Sequence, residues 1–169
     1  VGRRRGRGET IWDIKRHVGY VSSSLHLDCR VSTTVRSVIL SGYFDSIGIY
    51  QAVSDKQHKL AQQWLDILGF DARTADAPFH SLSWGQQRLA LIVRALVKHP
   101  TLLILDEPLQ GLDPLNRQLV RRFIDVLIGE GETQLLFVSH HASDAPGCIT
   151  HQLAFIADGE GYRYALTPQ

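Results

Sequence analysis

Apolar residues recur along this chain with the 3.6-residue spacing of amphipathic helices in several segments. The clearest segment begins with a capping-box pattern at Ser54 and Gln57, and Gly69 marks its end. Its apolar residues share one helical face: Leu60, Trp64, Ile67 and Leu68. The pattern predicts a helix here, and weaker apolar spacing predicts another between Thr33 and Gly42.

Two more helices are predicted in the second half of the chain. The first begins at Ser83 as its N-cap and ends before Pro100, because proline cannot continue a helix. The second begins at Asp113 and Pro114 and ends at Gly129. The apolar positions that carry the helical spacing of this second helix are Leu115, Leu119, Phe123 and Leu127.

Short apolar runs without helical spacing predict strands. Residues 18–21 are β-prone and are followed by three serines. The runs 102–105 and 135–138 show no alternation, as expected for parallel strands covered on both faces. Two segments that flank Asp158-Gly159-Glu160-Gly161 predict an antiparallel hairpin. Together the elements predict an α/β fold, with a mostly parallel sheet, helices on both faces, a helical subdomain and a C-terminal β-hairpin.

Composition narrows the class of protein. At 169 residues, 44% of them hydrophobic, the chain can bury one core and favours a single domain. Its net charge of +1 gives no general attraction to nucleic acid, and the basic run from Gly2 to Gly8 is more typical of a solvated loop. Cys29 and Cys148 are too few for a disulfide framework, which favours a reducing compartment. No apolar run reaches the roughly 20 residues of a membrane-spanning helix.

Two adjacent carboxylates, Asp106 and Glu107, follow the apolar run 102–105. They are expected at the carboxyl end of a strand, where open α/β sheets bind ligands. Neighbours on a strand point in opposite directions, so the two carboxylates cannot have the same role. A division suited to hydrolysis has Asp106 holding Mg²⁺ through its water shell and Glu107 polarising the attacking water. Solvated acids at a strand end are the alternative interpretation.

Two other positions fit the chemistry of phosphate. Ser83 lies at a predicted helix N-terminus, where free N–H groups favour an anion, and Gly85 permits close approach. His140 follows the run 135–138, level with Asp106 if the two strands are parallel neighbours, and it could donate to a γ-phosphate. A simple helix cap explains Ser83 equally well, and the same holds for Asp113.

The order and spacing of these segments resemble those of ABC-type ATPases. Residues 82–86 resemble the signature motif, and 102–107 resemble the Walker B strand with its following glutamate. Residues 110–113 resemble the D-loop, and 138–140 resemble the H-switch. Residues 18–21 resemble the strand before the Q-loop, which places Ser22 or Ser23 at the position where the family has glutamine.

The resemblance implies a truncated P-loop NTPase domain that uses ATP and Mg²⁺. Asp106 would hold Mg²⁺ through water, and Glu107 and His140 would be catalytic. The residues implied in nucleotide binding are Ser83, Gly85, Gln86, Asp113 and Ser23. It also implies three regions: residues 1–30 as a remnant of the N-terminal β subdomain and Q-loop region, 31–82 as the helical subdomain, and 83–169 as the part with the signature, Walker B, D-loop and H-switch.

The family also implies partners and a location. Two such domains pair head to tail, so that each nucleotide meets the signature of the opposite domain. A transmembrane permease is the further partner, which places the protein on the cytoplasmic face of the inner membrane. The stretch from Ser81 through His141, with its Trp-bearing signature, resembles the second domain of a tandem two-domain member associated with molybdenum transport, which implies ATP-driven molybdate uptake. The alternatives are a soluble ABC ATPase with a DNA-related or regulatory role, or a catalytically null interaction module.

Three departures from the family pattern bear on these expectations. No stretch has the pattern G-x-x-x-x-G-K-[ST] of the phosphate loop. Trp84 stands where the signature usually has glycine, and a serine stands where the Q-loop has glutamine. No Met occurs, even at position 1, so we expect a processed product or a piece of a longer protein. We therefore expect the phosphate loop upstream, and weak ATP binding or none by this chain alone.

Overall fold

The computed structural model describes residues 10–22, 33–129, 131–159 and 161–169. The helices in these ranges are α1 Ile11–Arg16, α2 Val35–Ser41, α3 Asp55–Ile67, α4 Ala72–Asp76, α5 Trp84–Leu96 and α6 Pro114–Gly129. The strands are β1 Val18–Val21, β2 Leu102–Asp106, β3 Gln134–Val138, β4 His151–Asp158 and β5 Gly161–Pro168. The basic run 2–8 and Ser23, both singled out from the sequence, lie outside the described residues.

Strands β1, β2 and β3 form a parallel sheet in that order. Val18 pairs with Leu102 at the start of the sheet, and Asp106 pairs with Val138 at its carboxyl end. The predicted parallel arrangement is confirmed, and so is the expectation that the runs 102–105 and 135–138 are parallel neighbours. Strands β4 and β5 form the predicted antiparallel hairpin as a separate sheet.

The two faces of the parallel sheet differ in burial. Val21, Leu103 and Leu105 are buried on one face. Helix α5 lies directly against that face, because a Cβ built on Gly19 would stand 2.7 Å from the carbonyl oxygen of Ala95. The opposite face carries exposed apolar side chains: Tyr20, Leu136 and Val138. Among the described residues, the expected cover is therefore met on one face of the sheet. In the run 135–138, Leu135 and Phe137 pack against the core, whereas the predicted burial of Leu136 and Val138 was wrong.

Helix α5 is the centre of the core. Its residues from Leu89 to Leu96 are all buried, because α2, α6 and strand β1 pack around it. Within it, Arg94 donates to the Ser41 hydroxyl at 3.0 Å and to the Ser46 carbonyl at 2.7 Å. These bonds compensate the burial of a charged side chain, which would otherwise be costly. The helix begins after Ser83, as predicted.

Two predictions about helices need correction. In α6 the buried residues are Val120 and Ile124, whereas Leu115 and Leu119, assigned to the apolar stripe, are exposed. Phe123 and Leu127 of the predicted stripe do pack against the core. The segment between Gly69 and Pro78, for which the sequence analysis gave no helix, contains the five-residue helix α4. Such a helix is too short to show an apolar period, and its N-cap Asp71 was the available signal.

Candidate functional site

The chain turns sharply at the carboxyl end of β2. Glu107 has φ of 49°, in the left-handed region that residues other than glycine seldom adopt. Its N–H still donates to the Val138 carbonyl of β3 at 3.0 Å. A backbone conformation of this kind costs about 1–3 kcal/mol and persists where the surrounding structure holds it, often at functional sites. The two carboxylates have different hydrogen-bond partners, Tyr20 for Asp106 and the His140 N–H for Glu107.

His140, two residues after the neighbouring strand β3, contacts Glu107. The backbone N–H of His140 donates to Glu107 Oε1 at 2.7 Å, and the His140 Nε2 atom lies 3.7 Å from the same oxygen. The Glu107 side chain is only 15% exposed, whereas that of His140 is 87% exposed. The structure thus brings together the two side chains predicted as catalytic, with the glutamate fixed and the imidazole open to a ligand.

Asp106 has different surroundings. It is half-buried, and its Oδ2 accepts a hydrogen bond of 3.3 Å from the hydroxyl of Tyr20 on β1. Mg²⁺ in nucleotide sites is held by one or two carboxylates, several waters and the substrate phosphates. A single carboxylate at the open end of a strand fits that ligand set. Tyr20 was not recognised from the sequence, because its contact with Asp106 depends on the pairing of β1 with β2.

The signature segment forms a complete capping box at the start of α5. The Ser83 N–H donates to Gln86 Oε1 at 3.0 Å, and the Gln86 N–H donates to Ser83 Oγ at 3.3 Å. The next residue, Trp84, is 55% exposed. Ser83 is exposed as well, so the N-terminus of α5, which is the positive end of the helix dipole, faces solvent. The structure bears out the N-cap role of Ser83 and leaves its phosphate contact a prediction.

Gly85 has a packing role that the sequence did not indicate. It is buried, and a Cβ on it would stand 2.1 Å from the Asn116 Oδ1 atom at the start of α6. Any larger residue would displace Asn116. Because Gly85 has no side chain, Asn116 can pack against it, and this contact joins the signature segment to α6. The contact is independent of any phosphate that approaches the same helix start.

Asp113 is the cap of α6. Its Oδ1 accepts the N–H groups of Leu115 and Asn116, both at 3.0 Å, and the Asn116 side-chain amide donates to its Oδ2. The hydrogen bonds from Asn116 hold the pKa of the Asp113 carboxyl below its usual value. The capping alternative is thus what the structure shows, and nucleotide contact by Asp113 stays a prediction.

Arg88, one turn into α5, is a buried charge. Only 2% of it is exposed, and its Nε and Nη1 atoms have no hydrogen-bond acceptor within the part of the chain that the structure describes. Burial lowers the pKa of its guanidinium. Ser22, at the end of β1, is buried as well and occupies one of the two positions assigned to the Q-loop.

The motifs and the fold can now be set against known proteins. Residues 3–110, more than half of the chain, match the family described as ABC transporter. The chain belongs to the ABC transporter family. The resemblance inferred from the signature, Walker B, D-loop and H-switch segments is thereby confirmed.

Curated ABC relatives are considerably longer than this chain. It is 87% identical over 166 residues to the ABC transporter ATP-binding protein ModF of Escherichia coli (strain K12), covering 98% of this chain and 34% of ModF. It is 34% identical over 145 residues to the ABC transporter ATP-binding protein YlmA of Bacillus subtilis (strain 168), covering 85% of this chain and 54% of YlmA. The chain thus spans between a third and about half of these ABC proteins.

Solved ABC structures share the fold. The dimeric structure of the bacterial ABC transporter cassette MJ0796 matches with a TM-score of 0.57 and 24% identity, over 78% of this chain and 55% of the cassette. At this identity the likeness concerns the fold alone, and it confirms the predicted fold class. Of the described helices, none combines the length and the apolar character needed to cross a membrane.

Proposed function

We propose that this chain is part of a longer ABC transporter ATP-binding protein, called here the parent protein, which binds and hydrolyses ATP to drive transport. The observation that carries the proposal is the group at the carboxyl end of the sheet. Asp106 ends β2, Glu107 follows it, and His140, two residues after the adjacent parallel strand β3, contacts Glu107. Carboxylates with separate surroundings at this edge suit the two tasks of metal binding and water activation.

Glu107 is the proposed group that orients and polarises the attacking water. Its carboxylate is mostly shielded from solvent, and the His140 N–H occupies only Oε1 in a bond of 2.7 Å. The water attacks the γ-phosphorus of ATP, the bond from that phosphorus to the bridging oxygen breaks, and ADP and phosphate leave. The exposed imidazole of His140 donates to the γ-phosphate in this proposal.

Asp106 is the proposed carboxylate for Mg²⁺, bound through water. When present, Mg²⁺ neutralises charge that develops on the phosphates. The Tyr20 hydroxyl donates a hydrogen bond to Oδ2 of Asp106 and so restricts the rotation of that carboxylate. Its other oxygen, Oδ1, is the atom proposed to face the water shell.

Ser83, Gly85 and Gln86 are proposed to serve a nucleotide held by a second ABC domain. The 13-residue helix α5 opens toward solvent at Ser83, and free N–H groups at such an end attract a phosphate. The described dimer of the MJ0796 cassette supports pairing of two domains. Asp113 and Ser23 belong to the same proposed nucleotide site.

The cargo and the further partner are also proposals. We assign molybdate as the transported substrate and a transmembrane permease as the partner, with the protein on the cytoplasmic face of the inner membrane. The support for the cargo is the resemblance of the signature with Trp84 to that of a member associated with molybdenum transport. The 87% identity to ModF supports the role of an ABC transporter ATP-binding protein. Molybdate uptake by cells with and without the parent protein tests this assignment, and equal uptake would refute it.

The test of the hydrolytic role is Glu107→Gln in the parent protein. This change keeps the size of the side chain and removes the charge that polarises water. ATP binding, measured by calorimetry with Mg²⁺, should be retained, while turnover should fall about a hundredfold or more. Glu132→Gln is the matched control, since Glu132 is exposed just before β3, at the end of that strand remote from His140. Equal turnover in the two variants would refute the role of Glu107.

A further inference from the structure

The segment that carries His140 is attached to helix α6 through one buried carboxylate. Arg117 of α6 donates from Nη1 to Asp144 Oδ1 at 2.8 Å, and the Ser139 hydroxyl donates to Asp144 Oδ2 at 3.1 Å. The Asp144 side chain is 4% exposed. Its two oxygens therefore join two different parts of the fold, the helix on one side and the end of β3 on the other.

The next two turns of α6 form hydrogen bonds with the residues that follow Asp144. Arg121 donates from Nη2 to the Ala145 carbonyl at 2.8 Å, and Asp125 Oδ1 accepts the Cys148 N–H at 2.9 Å. With Arg117, these residues are spaced four apart and so occupy one stripe of the helix. Residues 144–148 are thus fixed to α6 over three turns.

The same network reaches the backbone of His140. Ser139 Oγ, which donates to Asp144, also accepts the N–H of His141 at 3.1 Å. His140 lies between these two residues, and its own N–H is the donor to Glu107 at 2.7 Å. The position of the donor on Glu107 therefore depends on Asp144.

The first turn of α6, which carries Arg117, also meets the signature segment. Asn116, adjacent to Arg117, fills the space left open by Gly85 and donates to the cap Asp113. One helix thus contacts the start of α5 and, through Arg117, the segment of His140. A displacement of α6 at Gly85 would therefore also move Arg117, the partner of Asp144.

We propose that Arg117 and Asp144 are positioning residues for hydrolysis, which hold the His140 N–H on Glu107 and make this contact dependent on the position of α6. The inference rests on the proposed ATPase function. Neither residue touches the reacting atoms in this proposal. Their effect is on the placement of His140 and Glu107, so it should fall on turnover and leave ATP binding unchanged.

The test is Arg117→Gln in the parent protein, with Arg122→Gln as control, because Arg122 lies on the exposed side of the same helix. We expect kcat to fall about tenfold to a hundredfold in Arg117→Gln with KM for ATP unchanged, since small displacements at a reacting centre have effects of this size. Arg117→Lys, which keeps the charge, should restore part of the rate. The Arg122→Gln variant should behave as the wild type.

A double-mutant cycle separates positioning from general damage. If Arg117 acts by holding the His140 N–H on the Glu107 carboxylate, then Arg117→Gln should reduce kcat little further in a Glu107→Gln background, where that carboxylate is absent. The inference would be overturned if the reduction of kcat in the double variant equalled the product of the reductions in the two single variants. It would also be overturned if Arg117→Gln had the same kcat as Arg122→Gln. If Arg117→Gln does not fold, Ser139→Ala decides in its place, with a reduced kcat and an unchanged KM expected. An unaffected Glu107→Gln variant would instead refute the proposed function itself.

Discussion

Gly85 and Asn116 are in contact in a way that leaves no space for a side chain at position 85. A Cβ there would stand 2.1 Å from Asn116 Oδ1 and 2.6 Å from its Cγ. Because Asn116 also donates to Asp113, the contact links the N-terminus of α5 to the cap of α6. Gly85 thus allows the starts of α5 and α6, both of which we propose belong to the nucleotide site, to pack closely against each other.

Gly85→Ala should therefore destabilise the chain despite the favourable helix propensity of alanine. Forcing a methyl group into a filled site typically costs about 1–3 kcal/mol, which a urea unfolding curve would detect. Gly129→Ala is the control, since a Cβ at that end of α6 would meet nothing within 4 Å. Adding Asn116→Ala to Gly85→Ala should recover part of the loss. Equal stability of the two alanine variants would contradict the proposed packing.

Local signals predicted the helices well. Ser54 and Ser83 carry capping boxes, and Asp113 caps α6, as their sequences indicated. A cap and an apolar period involve residues only a few positions apart, so they are visible in the sequence. The buried side of α6 was predicted less well, because Val120 and Ile124 form a second apolar stripe and only packing selects between the stripes.

The contacts of the candidate site were mostly beyond sequence analysis. The order of motifs placed Asp106, Glu107 and His140 at one edge, and the parallel register confirmed their proximity. By contrast, the bond between Arg117 and Asp144 joins residues 27 positions apart. Nothing local distinguishes that arginine from Arg121 or Arg122, so its partner becomes known only from the packing of α6.

The Asp113 cap should make stability dependent on pH. Hydrogen bonds from Asn116 lower the pKa of Asp113 in the folded chain below its value of 3.8 in the unfolded chain. The stabilisation is therefore present above the unfolded pKa and is lost as the pH falls through the folded pKa. Asp113→Asn should be less stable than the wild type at neutral pH, with the difference shrinking in acid.

Urea unfolding of both chains from pH 7 down into the acid range would measure this trend. Asp71→Asn provides a second case, because hydrogen bonds from Thr74 lower the pKa of that N-cap in the same way. A stability difference between Asp113→Asn and wild type that stays constant with pH would show that the carboxylate charge has no such role.

Cys148 should be an unreactive thiol in the folded chain. Burial, with a smaller contribution from Asp125, raises its pKa from 9.0 to about 11. At pH 8 a rise of this size lowers the thiolate fraction about a hundredfold, and the thiolate is the species that iodoacetamide attacks. In a Cys29→Ser variant, alkylation at Cys148 should therefore be much slower in the native chain than in urea. Equal rates, followed by mass spectrometry, would contradict the shift.

Ser83→Asp should weaken the nucleotide-driven pairing of two ABC domains without unfolding α5. Aspartate caps a helix as well as serine does, so the start of α5 should be preserved. Its negative charge would, however, face the γ-phosphate that we propose Ser83 meets in the partner domain, and like charges repel. Dimer formation of the parent protein with ATP, followed by analytical ultracentrifugation in a Glu107→Gln background, should be reduced.

Ser54→Asp is the matched control for this variant. Ser54 is the N-cap of α3 and has the same capping box as Ser83, with Gln57 in place of Gln86. Both variants thus make the same chemical change at equivalent helix positions, and only one of them lies in the signature segment. If both dimerise as the wild type does, Ser83 does not meet a phosphate across the dimer. If both lose the dimer equally, the charge acts through folding, and the signature assignment loses its support.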